Sequence, residues 1–368
     1  MIKEFGYEYD AILDSKLLSK TKNKLAFERI WGGYALRSGR DALKAIAREY
    51  NSTKIYLPAL SCESMSLPFK KYGHLICYYK LGKDYSIDLN FLKQMIDGSG
   101  ILIYMDYFGK KAAECEDLFD LKYKFPKLIF VEDRTHNLIW NRKNFFEPDY
   151  IIASIRKWIS IPDGGILWTK KELKNQNFAK DTIFAETRLK AQIMRNKYLH
   201  NGDENIKNEY RDIFSKVPEI LDKDAEPSRM SEYAYQIAKK TDWNFIRERR
   251  KKNSKKLMKI LSDAGVTLIQ NKVEQSDLYV PFCISDRNRK QKVLSSKGVF
   301  NTVIWPLSDD QKKICPVAKY TEEHILAAPC DQRYTEDEIE FVGKEIVRII
   351  NEEKNYDSRS QYFTTSSN

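Results

Sequence analysis

No Cys-x-x-Cys pair occurs in this chain, although it has six cysteines, Cys62, Cys77, Cys115, Cys283, Cys315 and Cys330. Thiols scattered so widely over 368 residues argue against a disulfide framework and against a zinc site. They fit reduced thiols in a cytoplasmic protein. No apolar run is long enough to span a bilayer. The first ten residues, MIKEFGYEYD, hold acids and no apolar core, which argues against a secretory signal. Neither G-x-G-x-x-G nor a Walker A loop is present, so the two commonest phosphate-binding fingerprints are excluded. No internal repeat and no nucleic-acid-binding motif is found.

What is present describes a soluble globular protein, 42% hydrophobic and 31% charged, long enough for two domains. The net charge of +11 admits a polyanionic partner, but a solvated basic face is the simpler reading. The densest basic run, residues 247–256 (RERRKKNSKK), lies on a predicted helix and lacks the aromatic interleaving of a single-strand binder. Nucleic acid and membrane insertion are therefore not expected.

Helical and strand patterns alternate from about residue 20 to residue 170, which predicts an α/β domain with a mostly parallel sheet. Predicted strands are 54–58, 75–79, 101–105, 128–131, 150–153 and 165–168, with a helix over 41–50 entered through Ser38-Gly39. Residues 171–215 read as polar and helical, and 231–261 as one long helix or two with a bend. Further strands are expected near 267–269, 278–282 and 299–304, and a last helix over 336–352. Domain limits follow: a large domain over 1–240, a smaller α/β domain over 241–353, and a disordered tail over 354–368, rich in Ser, Thr and Asn.

Three segments carry chemistry. Arg37-Ser38-Gly39-Arg40 opens a helix, whose first N–H groups suit a phosphate, with Gly39 allowing close approach. Leu128-Ile-Phe-Val131 reads as a buried strand ending in Glu132-Asp133, with His136 three residues on, where ligands of open α/β sheets sit. Lys157 follows a strand and precedes Pro162-Asp163-Gly164-Gly165, a tight turn bringing the backbone close to something. A strand-end acid followed by an isolated lysine suits an enzyme using pyridoxal 5'-phosphate (PLP). The lysine bonds the cofactor, and the acid keeps its ring nitrogen protonated.

The order of these segments, and the Lys-to-Gly spacing, resembles the DegT/DnrJ/StrS family, fold-type-I PLP enzymes that are mostly sugar aminotransferases. Leu57-Pro-Ala-Leu-Ser-Cys-Glu-Ser64, Ser228-Arg-Met-Ser-Glu232 and Ile325-Leu-Ala-Ala-Pro-Cys-Asp-Gln-Arg-Tyr334 are further matches, and the resemblance spans about residues 30–350. It implies a large domain with a seven-stranded, mostly parallel sheet plus a smaller C-terminal α/β domain, and a homodimer with shared active sites. It implies that Lys157 is the cofactor lysine and proton shuttle, that Asp133 pairs with the pyridinium nitrogen, and that His136 sits beside the ring hydroxyl. Ser38, Gly39 and Arg40 would bind the cofactor phosphate, with Ser154 and Arg156 sharing that role.

The chain also departs from the family. Ser154 stands three residues before the lysine, where the family's serine stands five before. Cys62 stands where many members stack an aromatic ring on PLP. Pro227 replaces an Asn that reaches the partner's cofactor. Arg229 and Trp305 are candidate substrate-binding residues. The implied reaction moves an amino group from an amino acid, glutamate being the expected donor, to a keto group of a nucleotide-linked sugar. The alternatives are a PLP enzyme acting on a non-sugar substrate and a non-catalytic assembly or regulatory protein of the same fold.

Overall fold

The computed structural model describes residues 3–11, 32–139, 146–224, 226–269 and 276–364, with side chains described as far as residue 352. Its centre is a seven-stranded sheet: β2 (Tyr34–Leu36), β3 (Lys54–Pro58), β4 (Leu75–Tyr79), β5 (Ser99–Met105), β6 (Lys127–Asp133), β7 (Tyr150–Ala153) and β8 (Gly165–Thr169). The order is β2-β8-β7-β6-β5-β3-β4. Strands β4, β3, β5, β6 and β7 run parallel, and β8 and β2 are antiparallel additions at one edge.

The central strands are buried on both faces, which is why segments such as Ile101-Leu-Ile-Tyr-Met105 and Leu128-Ile-Phe-Val131 read as continuous apolar runs rather than alternating ones. One core cluster packs Leu102, Tyr104 and Phe130 on one face; another packs Ile101, Ile103 and Val131 on the other. Helices enter where short polar side chains satisfy orphan N–H groups. Ser38 caps the helix Gly39–Ala47, Ser231 caps Glu232–Lys240 and Asp242 caps Trp243–Asp263. The sequence expectation of one long helix or two with a bend over 231–261 resolves as these last two.

A smaller antiparallel sheet, ordered β11-β12-β9, comprises β9 (Tyr279–Cys283), β11 (Thr302–Val303) and β12 (Ile325–Pro329). The strand expected over 299–304 breaks at Asn301. Its first part, β10 (Val299–Phe300), pairs in parallel with the N-terminal strand β1 (Phe5–Gly6) instead. The N-terminal segment, read from sequence with the large domain, thus pairs with the C-terminal region. The last helix runs Glu336–Thr364, past the limit of residue 352 read from composition, so residues 354–364 are helical where a disordered tail was expected. In the chain between the two sheets, helices Ile183–Asn201 and Glu204–Lys223 form a hairpin.

This topology positions the site. Strand β3 pairs with β4 on one side and β5 on the other, so the chain reverses its winding there, opening a crevice at the carboxyl ends of the strands. Cys62 follows β3, Met105 ends β5, Asp133 ends β6 and Ser154 follows β7. All four line one cavity.

Candidate active site

That cavity, of about 270 Å³, is lined by Ser38, Gly39 and Arg40, by Asp133 and His136, and by Cys62, Ser154, Arg156, Lys157 and Trp305. Ten of the eleven residues singled out from sequence therefore converge. Arg229 does not. Its side chain is exposed, its backbone pairs with Leu36 and Ala179, and it lines neither cavity of the site.

The helix-start end is built as an anion cradle. Ser38 Oγ accepts from the Asp41 backbone N–H at 3.1 Å. The N–H groups of Gly39 and Arg40, in the first turn, have no partner within the helix. A side chain at position 39 would place its Cβ 3.7 Å from the Cβ of Ser154, so Ser154 stands directly against the cradle despite its shortened distance from the lysine. The Ser154 hydroxyl caps nothing.

The Gly-Gly pair is explained at the same place. A Cβ on Gly165 would lie 2.2 Å from the Ser38 carbonyl carbon, and Gly164 adopts φ +150° with the Ile155 side chain beneath it. Strand β8 is thus pressed onto the cradle, and only glycine permits the contact.

Charges around the cradle are mostly committed. Arg37 grips Asp41 through two bonds and also reaches Asp181 and Asp224. Lys44 Nζ donates to Leu221 O. Arg40 donates to Pro218 O at 2.9 Å and Asp222 Oδ1 at 2.8 Å. Arg40 therefore clamps the carboxyl end of the helix Glu204–Lys223, where a cation complements the dipole. Its guanidinium is not the free phosphate ligand that its position in sequence suggested, though its backbone N–H belongs to the cradle.

Asp133 is held by a residue that sequence reading missed. The Thr135 backbone N–H donates to Asp133 Oδ1 at 2.8 Å, Thr135 Oγ1 accepts from Ser154 N at 3.0 Å, and Thr135 O accepts from Trp158 Nε1 at 2.9 Å. One threonine thus ties the β6 acid to the segment that carries the lysine. The Asp-x-Thr turn was its only visible signal. Burial raises the Asp133 carboxyl above its usual range, opposed by the Thr135 bonds and by Lys157.

Lys157 sits in a short 3-10 turn, Ile155–Lys157. No hydrogen bond or ion pair joins its amine to a described residue. Burial lowers its pKa; Cys62 and Asp133 oppose that, and Arg156 and Arg40 reinforce it. A cavity-facing amine biased toward its neutral form is a nucleophile in waiting.

His136 is buried, and its Nδ1 accepts from the Phe108 backbone N–H at 3.4 Å. Burial, helped by Lys157, holds it down at about 3, so the ring is a neutral imidazole. It packs against Trp305 and Phe108 with ring centroids 5.8 and 5.6 Å apart. Phe108 and Trp305 both hold left-handed backbone conformations, φ 55° and 25°, unusual for aromatic residues. Cys62 Sγ lies 2.9 Å from Ser64 Oγ.

His136, Arg156, Lys157 and Trp305 also line a second cavity of about 500 Å³. Sequence reading missed its other walls: Tyr7, Glu8 and Tyr9 from the N-terminal segment, Tyr279, and the run Phe300–Ile304. Asn301 is buried there with its Oδ1 unpartnered. The N-terminal segment is anchored by Tyr9 OH donating to Trp158 O at 3.1 Å.

An anion cradle, a buried acid and an uncommitted amine lining one cavity fit pyridoxal phosphate, the group implied by the family resemblance. The backbone N–H groups of Gly39 and Arg40 with the Ser154 hydroxyl would hold its phosphate, the Ser38 hydroxyl being spent on Asp41, and Asp133 would hold its ring nitrogen. Among the described residues no cluster of His, Cys, Asp and Glu could hold a metal ion, and no helix is long and apolar enough to cross a membrane.

The architecture is that of fold-type-I PLP-dependent transferases. The chain is similar to Spr1654 of Streptococcus pneumoniae, described as a sugar aminotransferase and solved in its PLP form. Identity is 14%, covering 95% of this chain and 99% of that one, with a TM-score of 0.67. It is similar to PseC of Helicobacter pylori, an aminotransferase of pseudaminic acid biosynthesis, at 16% identity, 95% and 100% coverage and a TM-score of 0.65. It is also similar to DesI, solved with its TDP-sugar product, at 14% identity, 95% and 90% coverage and a TM-score of 0.64. No family model and no curated protein matches the sequence.

Proposed function

We propose that this chain is a PLP-dependent aminotransferase of the DegT/DnrJ/StrS type. Its reaction transfers an amino group from an amino acid, glutamate in our reading, to the keto group of a nucleotide-linked sugar. The observation that carries the proposal is the uncommitted Lys157 amine, set in one cavity with the buried Asp133 carboxyl and the Ser38–Gly39–Ser154 cradle.

Bound pyridoxal phosphate supplies an electron sink for negative charge developing at the substrate carbon. The chain's own residues do the rest. Lys157 would hold the cofactor, and its free amine would take and return the proton at the substrate carbon. Asp133 would pair with the ring nitrogen and keep it protonated; its hydrogen bond from the Thr135 N–H fixes the carboxylate's orientation. Neutral His136, which lines the same cavity, would add no charge beside the cofactor. The cradle would hold the phosphate, and so orient the cofactor.

A sugar substrate suits the second cavity, where Tyr7, Tyr279, Phe300 and Trp305 present aromatic faces among Gln291, Ser295, Asn301 and Thr302. The neighbours support the same reading: DesI was solved with a TDP-sugar product, and DesV with a ketimine intermediate. We also propose a homodimer and a cytoplasmic location, in keeping with the six free cysteines.

Absorbance tests the core of the proposal. The protein mixed with PLP gains a visible band that borohydride abolishes, and the cofactor's mass then stays on the peptide holding Lys157. Lys157→Ala loses the band and the retained mass. A wild-type protein that takes up no PLP, or retains it on another lysine, refutes the assignment.

A further inference from the structure

We infer that Arg156 is the receptor for the α-carboxylate of the amino-acid substrate, holding it at the junction of the two cavities. The inference deepens the aminotransferase reading and rests on Lys157 being the reacting amine.

Arg156 precedes Lys157 and lines both cavities. Its Nε is fully buried without a partner, and no hydrogen bond or ion pair joins the guanidinium to any described residue. Arg156 as a whole is half-buried; a guanidinium cannot shed its charge, so even partial burial without an anion costs free energy that a ligand's anion would offset. The nearby carboxylate that might have done so, Glu8, is held by two bonds from Arg188, at 2.7 and 3.3 Å. Burial, with Arg188 and then Arg40 acting against Glu8, pulls the Arg156 pKa down to about 10.

Every other arginine of the two cavities is engaged. Arg333 forks onto Asp331 at 2.8 and 2.9 Å. Arg250 is spent on Gln332, Tyr9 and the carbonyls of Asp277 and Leu278. Arg40 is spent on Asp222 and Pro218. Among the described residues, Arg156 is the uncommitted guanidinium of the site.

Its place selects the anion. Of the side chains from which it feels charge, Glu8 and Tyr279 line the second cavity alone and Arg40 the first alone, so Arg156 stands at the junction of the two. Sitting next to Lys157 in the chain, it holds its anion close to the reacting carbon. In an amino acid the α-carboxylate is one bond from that carbon, whereas the diphosphate of a nucleotide sugar is many bonds away. The planar fork of arginine matches a carboxylate in two parallel hydrogen bonds.

The test uses 2-oxoglutarate, which has no amine to react with an aldehyde cofactor, titrated calorimetrically into the full-length protein with and without PLP. Wild type binds it. Arg156→Gln binds about 100-fold more weakly, the loss expected for a charge-assisted pair, and Arg156→Lys, which keeps the charge but not the fork, about tenfold more weakly. PLP affinity in both variants stays within threefold. Three results overturn the inference: wild type that does not bind 2-oxoglutarate; Arg156→Gln that binds it as wild type does; or Arg156→Gln that loses affinity for PLP but not for pyridoxal, which assigns the guanidinium to the cofactor phosphate. Should Arg156→Gln fail to fold, Arg156→Lys decides through the same titrations. Failure of Lys157 to retain PLP would refute the aminotransferase reading instead, and binding by the PLP-free protein would still decide the role of Arg156.

Discussion

The two cavities share His136, Arg156, Lys157 and Trp305 but are assembled in opposite ways. The first is built from residues that end neighbouring parallel strands, within the stretch from Ser38 to Lys157, plus Leu221 and Trp305. Its cradle is braced by paired charges: Arg37 on Asp41, Arg40 on Asp222, Lys44 on a carbonyl. The second is assembled from pieces far apart in the chain, the N-terminal Tyr7–Tyr9, Tyr279, the broken strand around Asn301 and Arg333, and it keeps polar atoms unpartnered. In the proposed reaction the sheet would dictate where the chemistry is done, because strand ends fix the acid, the cradle and the lysine together. The substrate-facing half depends on loops and on the N-terminal segment, which can change without disturbing the sheet.

The largest expected effect lies in the half fixed by the sheet. Asp133→Ala should slow conversion of the cofactor to its amine form, followed by absorbance in single turnovers, by at least about 10³-fold. Stability should hold or rise, because burial already disfavours the Asp133 carboxylate. Near-normal turnover would mean that the end of β6 does not control the chemistry, and the contrast between the cavities would fail. Next comes Gly165→Ala. Its Cβ has 2.2 Å to the Ser38 carbonyl carbon, so strand or cradle must move, at about 1–3 kcal/mol of stability. Denaturant titration measures that cost, and PLP affinity should fall with it. An unperturbed cradle would show that the contact between β8 and Ser38 is not what sets it.

The same contrast explains what could be read from sequence. Strand ends are legible because a buried parallel strand is a run such as Leu128-Ile-Phe-Val131, and the polar residue that stops it is visible: Asp133, or Ser154 after Ile151-Ile-Ala153. The Gly-Gly pair announced a close approach, and Ser38 proved to be its partner. Strand β2 was missed because Tyr34-Ala-Leu36 is three residues long and belongs to the antiparallel edge. The side-chain fate of Arg40 was also hidden, since Asp222 is 182 residues away in the chain. The second cavity was invisible for the same reason: the Phe5–Gly6 strand and Val299–Phe300 are each two residues long, and nothing local records that they pair. Arg229 was singled out by a motif, and a motif carries no information on which way an exposed side chain turns in the folded chain.

The smallest expected effect is at a residue the two cavities share. The folded-state pKa of His136 is depressed to about 3, by burial and then by Lys157, against about 6.5 unfolded. The unfolded chain therefore binds the proton first. The stabilisation is fully present above pH 6.5 and is lost as pH falls through 6.5 toward 3. From pH 6.5 to 5.5 the loss amounts to about 1 kcal/mol. His136→Gln lacks this slope, so the difference in unfolding free energy between wild type and variant should shift by that amount over this interval. Asp163 and Asp277, both raised to about 6 by burial, push stability the other way as pH falls, but they are common to both proteins and cancel in the difference. Equal slopes in the two proteins would mean that water reaches the ring, and that the boundary between the cavities is open rather than packed by Phe108 and Trp305.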